Sequence, residues 1–396
     1  MEKKSALQSM SKKHRYLMDD IFIAYLAMGL YLTLVGSSLP AIKEEYQISY
    51  QIGGLMMSAQ QVGYLVMGIF VSAAARRMGA KTAYLLFGSL AFVGLAWMMV
   101  SGNPAVLLVS MLLTGICKGS TTNFGNQITS VLSNNDSSLL NFANAFFPIG
   151  ACLAPLVAAV CGDSWRMGFA ITIAVGIGML LHGRNIQIGP EAFVQGTDTG
   201  ESGFGFFHKP IFWICCVMLL CYLAFEASLM GWLVTFFVDS GATTETVAQL
   251  LATALWVAVL IGRFASAWFA TRFRPHQMMI VMALGVVICF TVMMFSHTLV
   301  PMAAATFGIG LFMAGMYGTA LGGSDNLIGK YPMCMGMFIV IPGIGAAVTQ
   351  SAIGALADRI GIRGGMYLLY ILLATLLIFA LLFIRHQKTI EKQKTA

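Results

Sequence analysis

Long stretches of apolar residues, separated by short polar breaks, follow one another along almost the whole chain. About 20 consecutive apolar residues are enough for a helix to cross the hydrocarbon core of a bilayer. Because a backbone in lipid must satisfy its own hydrogen bonds, each stretch is expected to be helical. The pattern therefore predicts an all-α membrane protein with twelve transmembrane helices. The predicted spans are 20–42, 50–74, 80–100, 104–128, 138–162, 165–182, 211–238, 246–270, 276–296, 301–323, 333–357 and 364–385.

The polar segments divide this pattern into two halves. We predict a tail at 1–19, a six-helix bundle at 20–182, a linker at 183–210, a second six-helix bundle at 211–385 and a tail at 386–396. The halves echo each other: AAARRMGAK follows the second span and FATRFRPHQ the eighth, while GDSWRMGF follows the fifth and ADRIGIRGG the eleventh. Such echoes are typical of secondary transporters built from two repeats, so the bundles are predicted to be pseudo-symmetric.

Charged residues are scarce, at 10% of 396 residues, whereas 58% are hydrophobic. The formal net charge is +7, but most of the 23 Lys and Arg lie in the tails and in the loops on one side of the predicted topology. This positive-inside distribution predicts a multi-pass protein, of a bacterial inner membrane, with both termini in the cytoplasm. The basic charge reflects the orientation of the chain in the membrane, so no nucleic-acid partner is expected.

Almost no sequence remains for a catalytic domain outside the membrane. The eight Cys and six His show no spacing that resembles a metal site. We therefore predict that the protein is not an enzyme and needs no cofactor. Its expected partners are the lipid bilayer, a small-molecule substrate and a coupling proton.

The loop after the second span carries RRMGAK. With twelve spans in two related halves, the chain from about 20 to 385 resembles the major facilitator superfamily. The loop signature of that superfamily is roughly Gly-x-x-x-Asp-Arg-x-Gly-Arg-Lys. Arg77, Gly79 and Lys81 match it, whereas Arg76 stands at the acidic position and Ser72 at the first glycine. The resemblance implies two bundles, a cavity lined mainly by spans one, four, seven and ten, and a monomeric functional unit.

Within the superfamily, four fragments are similar to sugar permeases of the fucose:proton symporter type. They are GICKGSTTNFGN, NFANAFFPIGACLAP, FEASLMGWLVTFF and WVAVLIGRF, in the fourth, fifth, seventh and eighth spans. Trp256, Gly262 and Arg263 match the eighth-span pattern. The family's acids in the fourth and first spans are replaced by Thr122 and Gly36, so neither fucose nor that coupling chemistry carries over to this chain.

Two charges, Lys118 and Glu226, lie near the middle of spans four and seven. A charge at the bilayer centre costs about 2.5–3.5 kcal/mol on insertion scales, so such residues usually face a polar interior. The superfamily resemblance implies that both face the central cavity from opposite halves. Three interpretations stay open: a structural ion pair or solvated side chains, contact with the solute, and proton carriage by Glu226. Burial would favour the neutral form of Glu226, whereas Lys118 would favour the ionised form.

Helical spacing adds further candidates for solute contact, because residues three or four apart share a helix face. Interhelical hydrogen bonding is the alternative for each polar residue taken singly. Arg263 is predicted to snorkel towards the membrane surface or to pair locally. The predicted solute contacts are Lys118, Thr122, Asn126, Asn144, Tyr31, Gln61, Tyr222, Glu226, Trp256 and Tyr317.

The sequence therefore predicts a secondary active transporter that moves a small polar organic solute, such as a sugar or sugar acid, by alternating access with a coupled proton. Efflux of organic anions or drugs is the alternative within transport. A membrane sensor is the alternative outside transport.

Overall fold

The computed structural model of the protein describes residues 10–132, 137–162, 164–188, 205–324 and 327–395. Within these ranges the chain is helical apart from short connections, and it contains no β-strand. Twelve helices in these ranges are long and apolar enough to cross a membrane. The prediction of an all-α protein with twelve transmembrane helices is therefore confirmed.

Contacts between residues divide the chain into two compact units. Unit 1 comprises Met1–Ile48 and Leu55–Gly196, and unit 2 comprises Ser49–Gly54 and Thr197–Ala396. The helices that begin before residue 184 are α1 (Lys12–Tyr46), α2 (Tyr50–Met78), α3 (Ala80–Val100), α4 (Pro104–Leu132), α5 (Ser137–Cys161) and α6 (Trp165–Gly183).

In the second part of unit 2, the first element that the structure describes is a single 3-10 turn at Gly205–His208. Its helices are α7 (Pro210–Asp239), α8 (Glu245–Phe269), α9 (Pro275–Phe295), α10 (Leu299–Met313), α11 (Met316–Gly322), α12 (Leu327–Lys330), α13 (Pro332–Met366) and α14 (Leu368–Thr395). The predicted linker at 183–210 lies mostly outside the described residues, so the predicted domain boundaries stay predictions.

The first helix starts earlier than the apolar pattern indicates, at Lys12 instead of residue 20. Ser11 lies at its N-cap, and the Ser11 hydroxyl accepts a hydrogen bond from the His14 backbone N–H at 3.2 Å. A serine cap satisfies one of the four N–H groups that a helix start leaves without a partner in the helix. A polar turn can therefore precede the apolar span within one continuous helix.

Glycine lies at two breaks in the helical conformation of unit 2. The tenth predicted span is split into α10, which ends at Met313, and α11, which begins at Met316, with Gly315 between them. Inside α13, Ile360 and Gly361 leave the helical conformation, and Gly361 has a φ of +77°. Left-handed backbone is open to glycine at low cost, so the break falls at this residue.

The first turn of α2 groups with unit 2 because of its hydrogen bonds. The Asp358 carboxylate of α13 accepts from the backbone N–H groups of Tyr50 and Gln51, at 2.8 and 2.9 Å. The Tyr50 hydroxyl donates to Asp239 Oδ2 of α7 at 2.7 Å. A carboxylate at a helix N-terminus both caps the backbone and complements the helix dipole, which makes this a strong local attachment.

Helices α1 and α5 approach each other closely in unit 1 through two glycines. A Cβ atom added at Gly29 would overlap the carbonyl oxygen of Phe147, and one added at Gly150 would overlap the carbonyl oxygen of Leu26. Small residues allow backbones to meet in this way, and the resulting van der Waals contact drives helix association in lipid. The α1–α5 interface therefore depends on the absence of side chains at both positions.

We expect Gly29→Ala to lower the free energy of unfolding by about 1–3 kcal/mol, because the new methyl group meets backbone atoms that cannot rotate away. Thermal unfolding of the purified protein in detergent measures this effect. Gly178→Ala in α6 is the matched control, since nothing lies within 4 Å of a Cβ atom there. Equal stability of the two variants would contradict the proposed backbone contact.

Candidate functional site

Lys118 lies at the middle of α4 in unit 1 and is half-buried. Its ammonium nitrogen lies 4.5 Å from the centroid of the Tyr64 ring of α2. A cation over an aromatic face is attracted by the negative charge of that face, most strongly where water is excluded. The aromatic ring therefore helps to stabilise a charge in an apolar helix.

Glycine brings α2 and α4 close enough for this contact. A Cβ atom added at Gly115 would overlap the carbonyl oxygen of Gln60, and one at Gly119 would lie 2.7 Å from the carbonyl oxygen of Tyr64. Gly119 follows Lys118 directly, so the close approach of the backbones sets the position of the Lys118 side chain against the Tyr64 ring.

A polar cluster lies two turns further along α4. Asn126 Oδ1 accepts hydrogen bonds from the Tyr25 hydroxyl of α1 at 2.8 Å and from Asn144 Nδ2 of α5 at 3.1 Å. The Tyr25 ring lies against Gly125, where a Cβ atom would come within 2.7 Å of it. The cluster joins three helices, and it brings together Asn126 and Asn144, two of the residues predicted from the sequence.

The neighbouring predicted contact, Thr122, is half-buried on α4, and its hydroxyl donates to Met28 Sδ at 3.6 Å. The Tyr25 hydroxyl also lies 3.4 Å from the Thr122 carbonyl oxygen. Thr122 therefore belongs to the same region as Tyr25 and Asn126. We refer to Tyr25, Thr122, Asn126 and Asn144 as the amide cluster.

Two other predicted residues of unit 1 lie apart from the amide cluster. Tyr31 is buried, with 1% of its surface exposed, and its hydroxyl lies 3.4 Å from the Thr114 carbonyl oxygen. Gln61 is half-buried on α2, and it is the adjacent Gln60 whose Nε2 donates to Thr114 Oγ1, at 3.1 Å. The contacts of Tyr31 are those of a residue that binds helices together.

In unit 2, Glu226 lies near the middle of α7 and is half-buried. The Tyr222 hydroxyl, one turn earlier on the same helix, is hydrogen-bonded to the Glu226 carboxylate. Arg263 of α8 and Tyr317 of α11 both lie close enough to act electrostatically on that hydroxyl. We refer to these four residues as the glutamate cluster. Three of the residues predicted from the sequence, Tyr222, Glu226 and Tyr317, are therefore near neighbours.

Trp256 is buried on α8, with 6% of its surface exposed, two turns before Arg263. Its burial limits direct access to its ring. Contact of Trp256 with solute stays a prediction, and an ion pair between Lys118 and Glu226 stays one of the three interpretations of these charges.

Sequence reasoning missed Tyr25 of the amide cluster, Arg263 of the glutamate cluster and Tyr64 beside Lys118. Tyr25 and Tyr64 carried no signal, because a tyrosine in an apolar span is common in protein interiors. Arg263 did carry one, since a charge within a predicted span marks a functional position by the same rule that selected Lys118. The structure adds all three as candidates. Among the described residues, no group of three His, Cys, Asp or Glu side chains could hold a metal ion.

Comparison with known protein families gives a result that agrees with the fold. A model described as Major Facilitator Superfamily matches residues 21–330, which is most of the chain. The chain belongs to the Major Facilitator Superfamily. The predicted resemblance is therefore confirmed, and with it the assignment of the chain as an integral membrane transporter of small molecules and not an enzyme.

Relatives and solved structures are similar to this chain over nearly its full length. The Protein TsgA homolog of Erwinia tasmaniensis is 22% identical over 357 residues, covering 87% of this chain and 89% of that protein. The crystal structure of the nucleoside transporter NupG superposes with a TM-score of 0.74 at 16% identity, covering 95% of this chain and 99% of that one. The transporter FucP, in its outward conformation, has a TM-score of 0.60 at 19% identity, covering 94% and 99%. At these identities the solved structures establish the fold.

We expect Tyr64→Leu to lower the free energy of unfolding by about 1–2 kcal/mol, because the half-buried Lys118 ammonium loses its aromatic face. Tyr64→Phe keeps the ring and should retain most of the stability. Thermal unfolding of both variants, repeated in a Lys118→Met background, isolates the interaction. The cation–π contact would be contradicted if Tyr64→Leu and Tyr64→Phe differed in stability by the same amount with Lys118 and with Met at position 118.

Proposed function

We propose that this superfamily member is a secondary active transporter that couples the movement of a small polar organic solute, such as a sugar or sugar acid, to a proton carried by Glu226. The observation that carries the proposal is the glutamate cluster. A half-buried carboxylate in an apolar helix is hydrogen-bonded to a buried tyrosine, with an arginine acting on the same hydroxyl.

The glutamate cluster has the chemistry that proton coupling requires. The protonation state of a carboxyl group in an apolar span depends on its hydrogen-bond partners and on nearby charges, and Glu226 has the Tyr222 hydroxyl as such a partner. The protonation state of Glu226 should therefore be sensitive to its surroundings. Binding of a solute, or a change in exposure, is then able to change the occupancy of the proton.

Unit 1 supplies the chemistry for recognising a polar solute. The amide cluster offers amide and hydroxyl groups, which suit hydroxyl-bearing compounds, and Lys118 offers a cation on an aromatic face. Buried polar groups discriminate well, because a solute that cannot satisfy them leaves them without hydrogen bonds. The set favours a polyhydroxylated or acidic solute over an apolar drug.

The names of the similar structures support a solute of this class. NupG is described as a nucleoside transporter and FucP as a fucose:proton symporter. Both solutes carry several hydroxyl groups. We further propose, from the distribution of Lys and Arg, that both termini lie in the cytoplasm of a bacterial inner membrane. Membership of the superfamily supports a monomeric functional unit.

We expect Glu226→Gln to abolish solute accumulation driven by a pH gradient while retaining counterflow exchange, because glutamine keeps the shape and loses the proton site. The measurement is uptake of radiolabelled sugars and sugar acids by proteoliposomes, with and without an imposed gradient. Glu44→Gln, at an exposed glutamate near the end of α1, is the matched control and should behave as wild type. Gradient-driven accumulation that survives in Glu226→Gln would overturn the assignment.

Lys118→Gln tests the solute class. If the solute is an acid, we expect its apparent affinity for the variant to fall by about tenfold or more, because a charge-assisted hydrogen bond is lost. The acid should therefore stabilise the variant less than it stabilises the wild type. The measurement is a thermal-shift screen of wild type and variant against neutral sugars, nucleosides, sugar acids and other organic anions, since a bound ligand stabilises by mass action. Selective stabilisation by non-sugar organic anions would instead favour the organic-anion efflux alternative.

A further inference from the structure

A second buried acid lies in unit 1, away from both candidate clusters. Asp20 belongs to the third turn of α1, and its side chain has none of its surface exposed. A buried carboxylate is unstable unless hydrogen bonds or an opposite charge compensate for the loss of water. The residues around Asp20 therefore determine which protonation state the site can hold.

Side chains from two other helices meet the Asp20 carboxylate. The Tyr84 hydroxyl of α3 donates to Asp20 Oδ2 at 2.8 Å, and His182 Nδ1, at the end of α6, lies 3.0 Å from Asp20 Oδ1. Gly183 allows the end of α6 to come this close, because a Cβ atom there would lie 3.2 Å from Asp20 Oδ1 and 2.7 Å from Leu85 Cδ2. The backbone is thus shaped around the Asp20–His182 contact.

His182 connects the buried carboxylate with the surface. Its side chain is 24% exposed, and its ring stacks on Tyr16 of α1 with centroids 3.9 Å apart and planes at 22°. The Tyr16 hydroxyl donates to the His182 backbone oxygen at 3.0 Å, so Tyr16 fixes the ring from a second side. A proton can therefore reach the buried pair from water through the imidazole.

We propose that Asp20 and His182 together hold one exchangeable proton, forming a proton-binding site at the end of unit 1 where α1 begins and α6 ends. The pair with one proton is neutral overall, whether the proton is on the imidazole or on the carboxyl. Loss of that proton leaves a buried net negative charge, and gain of another leaves a net positive charge, so both are disfavoured by desolvation.

The groups around Asp20 and His182 determine how readily this pair binds a proton. His182 and Tyr84 are the groups that act on the Asp20 carboxylate, and Tyr84 interacts in turn with Tyr25 and Cys117. Lys81 Nζ donates to the Arg184 backbone oxygen at 2.6 Å, just beyond the end of α6. The titratable and charged groups near the site are Tyr16 and Tyr25 of α1, Lys81 and Tyr84 of α3, Cys117 of α4, and Arg184 after α6.

The site joins α1, α3 and α6, so its proton should affect how firmly these helices are held. With the proton bound, the contact is a neutral or ion-paired bridge between α1 and α6. Without it, the same contact encloses a net negative charge. Stability contributed by the pair is therefore present at lower pH and is lost as the pH rises and the proton leaves.

The test is the thermal unfolding of the purified full chain at about pH 6 and about pH 8, within the range in which histidine changes charge. We expect Asp20→Asn to lower the unfolding temperature about twice as much at the lower pH as at the higher one, because asparagine cannot form the proton-holding pair. Asp19→Asn, at the exposed neighbouring acid, should change stability equally at both values. If Asp20→Asn lowers the unfolding temperature equally at both pH values, the proposal is overturned, because the contact then contributes the same stability whatever the pH.

His182→Asn provides a second arm if Asp20→Asn does not fold. It keeps a side-chain nitrogen that can donate to Asp20 and removes the imidazole, so the fall in unfolding temperature between the two pH values should become shallower than in the wild type. An unchanged slope would also overturn the proposal. Neither arm uses a transport assay, so the outcome is independent of the function proposed for Glu226.

Discussion

Polar groups inside a bilayer must find their hydrogen-bond partners within the protein, and this constraint shapes every level of the molecule. Main-chain groups satisfy it by forming helices. Side chains satisfy it across helices, as when Asn126 accepts from Tyr25 and Asn144. The same rule applies to Tyr84 and His182, which enclose the carboxylate of Asp20. Each of these contacts stabilises the packing of the helices that it joins.

Helix packing sets where these polar places form. At Gly29 and Gly150 the backbones of α1 and α5 meet directly, and at Gly115 and Gly119 those of α2 and α4 do so. In lipid the driving force for such contacts is van der Waals packing, because apolar side chains gain little by leaving a surrounding that is equally apolar. Close backbones then bring neighbouring side chains within reach of each other, which is how Lys118 comes to lie over Tyr64.

The buried charges are compensated in three different ways, and the differences bear on function. Lys118 has the aromatic face of Tyr64, which stabilises its positive charge. Glu226 has a tyrosine hydroxyl and a nearby arginine, which suits a carboxylate whose proton comes and goes. Asp20 has a histidine that reaches the surface, which suits exchange with water at one end of unit 1. The two acids belong to different units, so transport and the proton site of Asp20 can be separated experimentally.

The sequence alone determined the twelve spans, the division into two halves and the superfamily, because hydropathy and charge distribution follow directly from the solvent in which the chain folds. It also selected Lys118 and Glu226, since charges in apolar runs are rare and expensive. It could not determine that Tyr25 bonds to Asn126, that Arg263 acts near Glu226, or that Asp20 meets His182 from 162 positions away. Those relations depend on which helix faces meet and how closely their backbones approach. That information resides in the packing of the helices, and a periodic pattern within a single helix does not contain it.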